Sequence, residues 1–199
     1  MPVDEAAAAI ARPRGELAAW LASVSGEERP ASRMGAHTFG IASVSFGAPR
    51  AVMSVPEVAQ AVDAGREAAV QDAAQGAVVV AGYVQEADGD ALAQWLLGRA
   101  PDPEIRGPLG ALRRLGDRET AMLAGLALGA GERGLGYVCD GLAAVAAAAI
   151  AVAVEPDLRP RVRAADRSCA ELLDHVGLAW IVERGGLKAA FHALHEALA

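Results

Sequence analysis

The chain has 199 residues and a formal net charge of −7. This length fits one domain with its own core, so we predict a single α/β domain over residues 1–199, with residues 1–35 as an N-terminal helical flap. Lys188 is the only lysine, and the arginines are interspersed with acids. A duplex-binding surface needs clustered Lys and Arg, so the composition excludes nucleic acid as an expected partner.

The cysteines and the apolar runs bear on the compartment. Cys139 and Cys169 are far apart without metal-ligand spacing, and we interpret them as reduced structural thiols. Asp4 and Glu5 stand where a secretory signal has a basic region. The longest apolar run, Leu142–Val154, is shorter than the roughly 20 residues of a membrane-spanning helix. We therefore expect a cytoplasmic protein without a membrane partner.

Helix and strand patterns alternate along the chain. Ser54 and Glu57 have the spacing of a capping box, and β-branched runs that follow glycines indicate buried strands. The predicted elements are a helix at 16–24, a loop at 26–35, a weak strand at 38–46, a helix at 54–76, a strand at 77–82, a helix at 117–128, a strand at 135–139, helices at 142–154 and 168–176, a strand at 178–182 and a helix at 187–198. This alternation predicts a doubly wound, mostly parallel, Rossmann-like sheet under Ala-rich helices.

Ligands of open parallel sheets bind outside the carboxyl ends of the strands. Three places qualify: the residues after Gly82, the pair Asp140 and Gly141, and the turn at 183–186. Glycines admit a ligand to the backbone, and a helix N-terminus offers donors to phosphate, although each place also fits an ordinary turn. Asp140 suits a ribose hydroxyl or a cap of the next helix. Glu183 suits a general base if it is desolvated, or a solvated turn carboxylate.

Two other groups of polar residues receive structural interpretations. A proline-containing connection after the apolar helix carries four arginines: Arg159, Arg161, Arg163 and Arg167. Asp157 and Asp166 flank them, so we predict a self-neutralised surface loop in preference to a phosphate site. His192 and His195 are assigned to the wet face of the last helix, and no metal site is predicted.

The most specific pattern in the chain lies at residues 108–151. It contains a helix start at 115–121, a strand that ends in Asp140-Gly141-Leu142, and an alanine-rich helix. This pattern resembles the nicotinate-nucleotide:dimethylbenzimidazole phosphoribosyltransferases of cobalamin biosynthesis, whose strand ends in Asp-Gly-Phe. Weaker similarities lie at 13–17, 53–54 and 168–178.

The resemblance implies phosphoribosyl transfer by a homodimer that needs no metal or organic cofactor. Glu183 would take the proton of dimethylbenzimidazole, whose nitrogen would attack the anomeric carbon of nicotinate mononucleotide and displace nicotinate. The residues expected at the phosphoribosyl group are Gly82, Asp140, Gly141, Ser168, Gly185 and Gly186.

The chain departs from this family at the phosphate loop. After Gly82 the family has a glycine-rich loop with threonines, whereas this chain has Glu86, Asp88 and Asp90, and like charges repel a phosphate. The family's Glu-Pro-Gly-His segment is missing after Ser168. The alternative is therefore a catalytically degenerate paralogue that binds a nucleotide-like ligand or a protein partner, and the acidic loop favours it.

Overall fold

The structure is a computed structural model that describes residues 12–25, 34–38, 52–83 and 89–198. Within these ranges the chain forms a five-stranded parallel sheet with the strands in sequence order. The strands are β1 (Met34–Thr38), β2 (Val79–Tyr83), β3 (Gly136–Asp140), β4 (Val162–Asp166) and β5 (Ala179–Val182). The helices are α1 (Arg14–Ser25), α2 (Val55–Ala74), α3 (Asp90–Leu96), α4 (Gly107–Leu115), α5 (Arg118–Glu132), α6 (Leu142–Val154), α7 (Ala170–Val176) and α8 (Gly186–Leu198), with a 3₁₀ helix at Pro156–Arg161.

Helices cover both faces of the sheet. A larger apolar core lies under α2 to α7, because successive crossovers of one hand place their helices on the same face. A smaller core on the opposite face is formed by α1 and α8. The predicted α/β fold, a parallel sheet between helix layers, is confirmed. No described helix is both long and apolar enough to cross a membrane.

Glycines bring α2 and α5 into backbone contact. A Cβ atom added at Gly65 would lie 2.0 Å from the carbonyl oxygen of Met122, and one added at Gly125 would lie 2.0 Å from that of Val62. Two helices with larger side chains at these positions would be held apart. The small residues that dominate the composition therefore set the distance between these two helices.

The capping box predicted at the start of α2 is confirmed. The Ser54 hydroxyl accepts from the Glu57 backbone N–H at 3.4 Å, and a Glu57 carboxylate oxygen accepts from the Ser54 N–H at 2.7 Å. These two bonds satisfy donors that an uncapped helix start leaves open.

Two sequence predictions are wrong about strands. Gly35, predicted in a loop, lies in β1, whereas residues 39–46 of the strand expected at 38–46 lie outside the described residues. The connection predicted after the apolar helix contains β4. Its pattern was obscured by Arg163, which forms an ion pair with Glu16 at 3.1 Å and lies over the ring of Trp20. A charged side chain thus occupies a largely buried strand position because it has a partner on α1.

Helix α1 lies within the segment proposed as a flap. Its apolar face is buried against the sheet and α8: Leu17, Trp20, Leu21 and Val24. The Trp20 indole N–H donates to the Pro160 carbonyl at 3.0 Å. Residues 34 and 35 of the same segment belong to β1. The described part of this segment therefore contributes to the sheet and to the smaller core.

Candidate functional site

Two aspartates end neighbouring strands at the carboxyl edge of the sheet. Asp140 is the last residue of β3 and Asp166 the last residue of β4. The turn at 183–186 follows β5, which pairs with β4. Because parallel strands end at the same edge, the sheet brings both carboxylates beside this turn.

Asp166 holds the turn through backbone hydrogen bonds. Its Oδ2 accepts from Gly186 N at 2.8 Å and from Gly185 N at 3.1 Å, while its Oδ1 accepts from Ser168 N at 2.9 Å. One side chain therefore ties the loop after β4 to the loop after β5. The sequence pattern does not indicate this role of Asp166, because it does not reveal the strand that ends there.

Asp140 holds the start of α8. Its Oδ2 accepts from Leu187 N at 2.9 Å, so the helix that Asp140 stabilises is α8. The sequence also allowed a cap on α6, the next helix along the chain. The N-cap of α6 is instead Gly141, and no side chain caps this helix. A Cβ at Gly186 would lie 3.0 Å from the same oxygen, and Gly186 has a φ of +58°. Both facts favour glycine at this position.

The two aspartates have opposite pKa shifts. Burial raises the pKa of Asp140, and the nearby charge of Asp166 adds to the rise, against hydrogen bonds from Leu187 and Gly141. Burial also acts to raise the pKa of Asp166, but the bonds from Ser168, Gly186 and Gly185 outweigh it and lower that pKa. Asp166 is therefore the more firmly ionised carboxylate of the pair.

The space beside this pair is open at Gly141 and Ser168. Gly141 is exposed with a φ of +83°, and no atom lies within 4 Å of the position where its Cβ would stand. Ser168 is exposed, and its hydroxyl lies 3.8 Å from the sulfur of Cys169. Burial raises the pKa of the Cys169 thiol, and the charges of Asp166 and Asp140 add to the rise, against a hydrogen bond from Ser168. The thiol is therefore neutral at physiological pH.

Gly82 faces the core of the protein. Its Cβ position would lie 2.5 Å from the Tyr137 hydroxyl and 2.6 Å from Leu123 Cδ2. The Tyr137 hydroxyl donates to the Leu123 carbonyl at 3.5 Å. Packing against this tyrosine explains the glycine, and a substrate contact by the backbone after Gly82 stays a prediction.

Glu183 is exposed at the end of β5. Its carbonyl oxygen accepts from Arg167 N at 3.4 Å, which joins the loops after β4 and β5 a second time. Its side chain is open to solvent. Its role as general base stays a prediction.

The four arginines predicted as one cluster have separate partners. Arg159 donates to the Val176 carbonyl at 2.8 Å and Arg161 to that of Gly134 at 2.9 Å. Arg163 is paired with α1, as described above. Arg167 lies over Trp180 and 3.5 Å from Asp174. These contacts hold α7, the end of α5 and the edge of the sheet in place. Because each arginine has its own partner, the four guanidinium groups do not form one shared anion site.

The described residues also bear on metal binding. Within residues 12–25, 34–38, 52–83 and 89–198, no group of three or more His, Cys, Asp or Glu side chains is placed to hold a metal ion. His192 instead lies 3.4 Å from Glu196 on the exposed face of α8.

Comparisons with known proteins agree on one family. Residues 90–185 match DBI_PRT, described as phosphoribosyltransferase. CobT from Thermus thermophilus has a TM-score of 0.63 and 26% identity, over 73% of this chain and 57% of that one. A second structure, nicotinate-nucleotide-dimethylbenzimidazole phosphoribosyltransferase from the same organism, has a TM-score of 0.62 and 27% identity, over 73% and 56%. The chain thus spans just over half the length of these structures. No curated protein matches it.

Proposed function

Because residues 90–185 match the DBI_PRT phosphoribosyltransferase family, we propose that the protein transfers phosphoribose from nicotinate mononucleotide to dimethylbenzimidazole in cobalamin lower-ligand synthesis. The product is α-ribazole phosphate. One observation carries this proposal: the matched segment contains the paired aspartates and the loops around them. Asp140, Gly141, Asp166, Ser168 and Glu183 all lie inside it.

In the proposed reaction Glu183 takes the proton of the benzimidazole nitrogen. The other ring nitrogen forms a bond to the anomeric carbon of the ribose, and the bond from that carbon to the nicotinate nitrogen breaks. The electron pair leaves with nicotinate, so no oxidant or reductant is required. An exposed carboxylate becomes a more effective base when a bound aromatic ring excludes water from it.

The hydrogen bonds at the start of α8 guide the assignment of the other residues. The N–H groups of Gly185, Gly186 and Leu187 already donate to Asp166 and Asp140. We therefore assign the two glycines to shaping of the turn, and the phosphoribosyl group to the exposed surface at Gly141 and Ser168. The oxygens of Asp140 lie beside this open space and suit the ribose hydroxyls.

The occupied donors also support a second candidate function. Two carboxylates at the start of α8 repel a phosphate and already accept hydrogen bonds from three amides there, as in a paralogue that binds a neutral nucleoside-like ligand without catalysis. This candidate keeps the fold and the open space beside Gly141 and loses the transfer step. Turnover distinguishes the two.

Oligomeric state and location belong to the same proposal. We propose that the protein forms a homodimer, as the resemblance implies, and that it is located in the cytoplasm. Cys139 and Cys169 are both free thiols, which suits a reducing compartment.

The test is release of nicotinate from nicotinate mononucleotide in the presence of dimethylbenzimidazole, followed by chromatography. We expect turnover by the full chain and a loss of at least about a hundredfold in Glu183→Gln, the usual size of a general-base contribution. Glu155→Gln, an exposed carboxylate after α6, is the matched control and should keep full activity.

Two results would contradict the proposal. Equal activity in Glu183→Gln and the control would remove Glu183 as the base. No release by the full chain, together with calorimetric binding of dimethylbenzimidazole or its nucleoside, would establish the non-catalytic candidate.

A further inference from the structure

A cavity lies between α2 and α4, on the outer side of the helix layer. Its volume is about 610 Å³, within the range of roughly 300–1,000 Å³ typical of small-molecule sites. Val55, Val58 and Val62 form one wall, and Leu109 stands on the other. The three valines recur at helical spacing, so one apolar face of α2 points toward the cavity.

The floor of this cavity is also apolar. Leu128 of α5 and Val154 at the end of α6 close it. The exposed fractions of Val55, Leu109 and Val154 are 69%, 47% and 41%. Val52, the other large hydrophobic that is similarly exposed in the described chain, comes just before α2. Apolar exposure is thus concentrated at this cavity, a pattern typical of a binding surface.

The charges around the cavity are unbalanced. Asp63 lies 3.8 Å from Arg66, which is also 3.2 Å from Glu132, and Glu104 lies 2.7 Å from Arg114. The acids of the rim are therefore already paired.

Arg113 of α4 and Arg106, the residue just before α4, line the same rim. Neither forms an ion pair with any described carboxylate. The cavity consequently combines apolar walls with two guanidinium groups that have no ion-pair partner among the described residues, in a chain whose net charge is −7.

This cavity is distinct from the proposed active site. Asp140 and Gly141 stand at the beginning of α6, whereas Val154 is its last residue. A helix rises about 1.5 Å per residue, so roughly 18 Å of α6 separates its two ends.

We propose that the cavity between α2 and α4 binds a small organic anion with an apolar body, such as an aliphatic or aromatic monocarboxylate. The apolar part lies on Val58, Val62 and Leu128, and the carboxylate is held by Arg113 with Arg106. Guanidinium groups pair with carboxylates in a planar, bidentate geometry. This proposal does not depend on phosphoribosyl transfer.

Charge favours this occupant over a second copy of the chain. A two-fold dimer across the cavity would bury the unpaired arginines of both copies in one interface, and burying unpaired charge is costly. An organic anion neutralises the same groups. The dimer is nevertheless one outcome that the experiment below detects.

The test uses octanoate as the probe, measured by isothermal titration calorimetry on the full chain. Octanoate should bind saturably to one site per chain, more tightly than 1-octanol and much more tightly than octyltrimethylammonium. Arg113→Gln should weaken octanoate binding about tenfold, the effect of one lost charge-assisted hydrogen bond, and should leave 1-octanol binding unchanged. Arg113→Lys should retain part of the octanoate affinity.

Two further variants separate the site from other surfaces. The atoms nearest to the Cβ position of Gly110 belong to Ile105 and lie at 3.8 Å or more, so Gly110→Leu should fold, fill the cavity and abolish binding of both probes. Arg133→Gln, an exposed arginine at the end of α5, is the control and should change nothing.

Three results would overturn the proposal. The first is an absence of octanoate binding by the full chain. The second is octanoate binding that Arg113→Gln and Gly110→Leu leave unchanged. The third is a dimer in sedimentation analysis that Gly110→Leu dissociates, because the cavity would then be covered by a second copy.

Discussion

The Oδ2 atom of Asp166 lies 2.8 Å from the backbone nitrogen of Gly186. An aspartate at the end of β4 thereby holds the first residue of α8. The same oxygen also accepts from Gly185. This side chain therefore helps to hold the turn that carries Glu183, so the position of the proposed base depends in part on a residue outside the catalytic step.

Replacing Asp166 by alanine should destabilise the protein. The N–H groups of Gly185, Gly186 and Ser168 would lose their acceptor, and we expect the free energy of unfolding to fall by about 2 kcal/mol. Urea denaturation measures this change. Asp157→Ala, at an exposed position of the 3₁₀ helix, is the control and should shift stability by less than about 0.5 kcal/mol. An Asp166 variant as stable as the control would contradict the assigned role.

The two site aspartates should titrate in a fixed order. The pKa of Asp140 is raised and that of Asp166 lowered, so Asp140 takes its proton first as the pH falls from neutral. Carbon-detected NMR of the side-chain carboxyls follows both groups. The opposite order, or a common midpoint, would show that the hydrogen bonds of Asp166 do not outweigh its burial.

The same shifts give opposite effects on stability. The lowered pKa of Asp166 adds stability that is complete above the unfolded value of about 3.9 and is lost as the pH falls through its folded pKa. The raised pKa of Asp140 means that its ionised form costs stability, and this cost develops as the pH rises from the unfolded value through the folded one.

Removing the charge of Asp166 should lower the pKa of Asp140. In Asp166→Asn the repulsion is gone while the burial of Asp140 remains, so the pKa should move toward its ordinary value without reaching it. The same NMR titration measures the shift, and Asp157→Asn should leave the Asp140 pKa in place. A rise in the pKa of Asp140, or an unchanged pKa, would argue against coupling between the two carboxylates.

The contact between α2 and α5 predicts a large cost for one methyl group. Gly125→Ala places a Cβ against the Val62 carbonyl, and we expect about 2–3 kcal/mol of lost stability from the forced shift of backbone. Gly110→Ala in α4, which has no such contact, should gain about 0.5–1 kcal/mol from helix propensity. Thermal unfolding compares them, and equal effects would contradict the close approach.

Gly82 and Tyr137 should be energetically coupled. A methyl group at Gly82 meets the Tyr137 hydroxyl and Leu123, so Gly82→Ala should cost about 2 kcal/mol. Tyr137→Phe removes the hydroxyl and should relieve part of this cost, which a double-mutant cycle measures. If the stability changes of the two single variants simply add in the double variant, a clash between the residue at position 82 and the Tyr137 hydroxyl would be contradicted.

Much of the fold follows from local pattern. The capping box at Ser54 and Glu57, the β-branched run into β2 and the glycine at 177 each identify an element boundary from neighbouring residues. Strand β4 was missed because the pattern contains Arg163, whose burial depends on Glu16, which is distant in sequence. A tertiary ion pair of this kind leaves no mark on local periodicity.

The site was predictable to a similar extent. Asp140 and the turn at 183–186 were expected at the carboxyl edge because each follows a recognisable strand. Asp166 was missed together with its strand. The glycine amides of the turn reach Asp166 because β4 pairs with β5. The spacing of residues along the sequence does not reveal this pairing.

The most direct test of the proposed function is a product balance in one reaction. Full-length protein is mixed with nicotinate mononucleotide and dimethylbenzimidazole, and nicotinate and α-ribazole phosphate are quantified together by mass spectrometry. Phosphoribosyl transfer predicts that both products appear in equal amounts. Nicotinate without α-ribazole phosphate would indicate hydrolysis, and the absence of both products would contradict transferase activity in this chain.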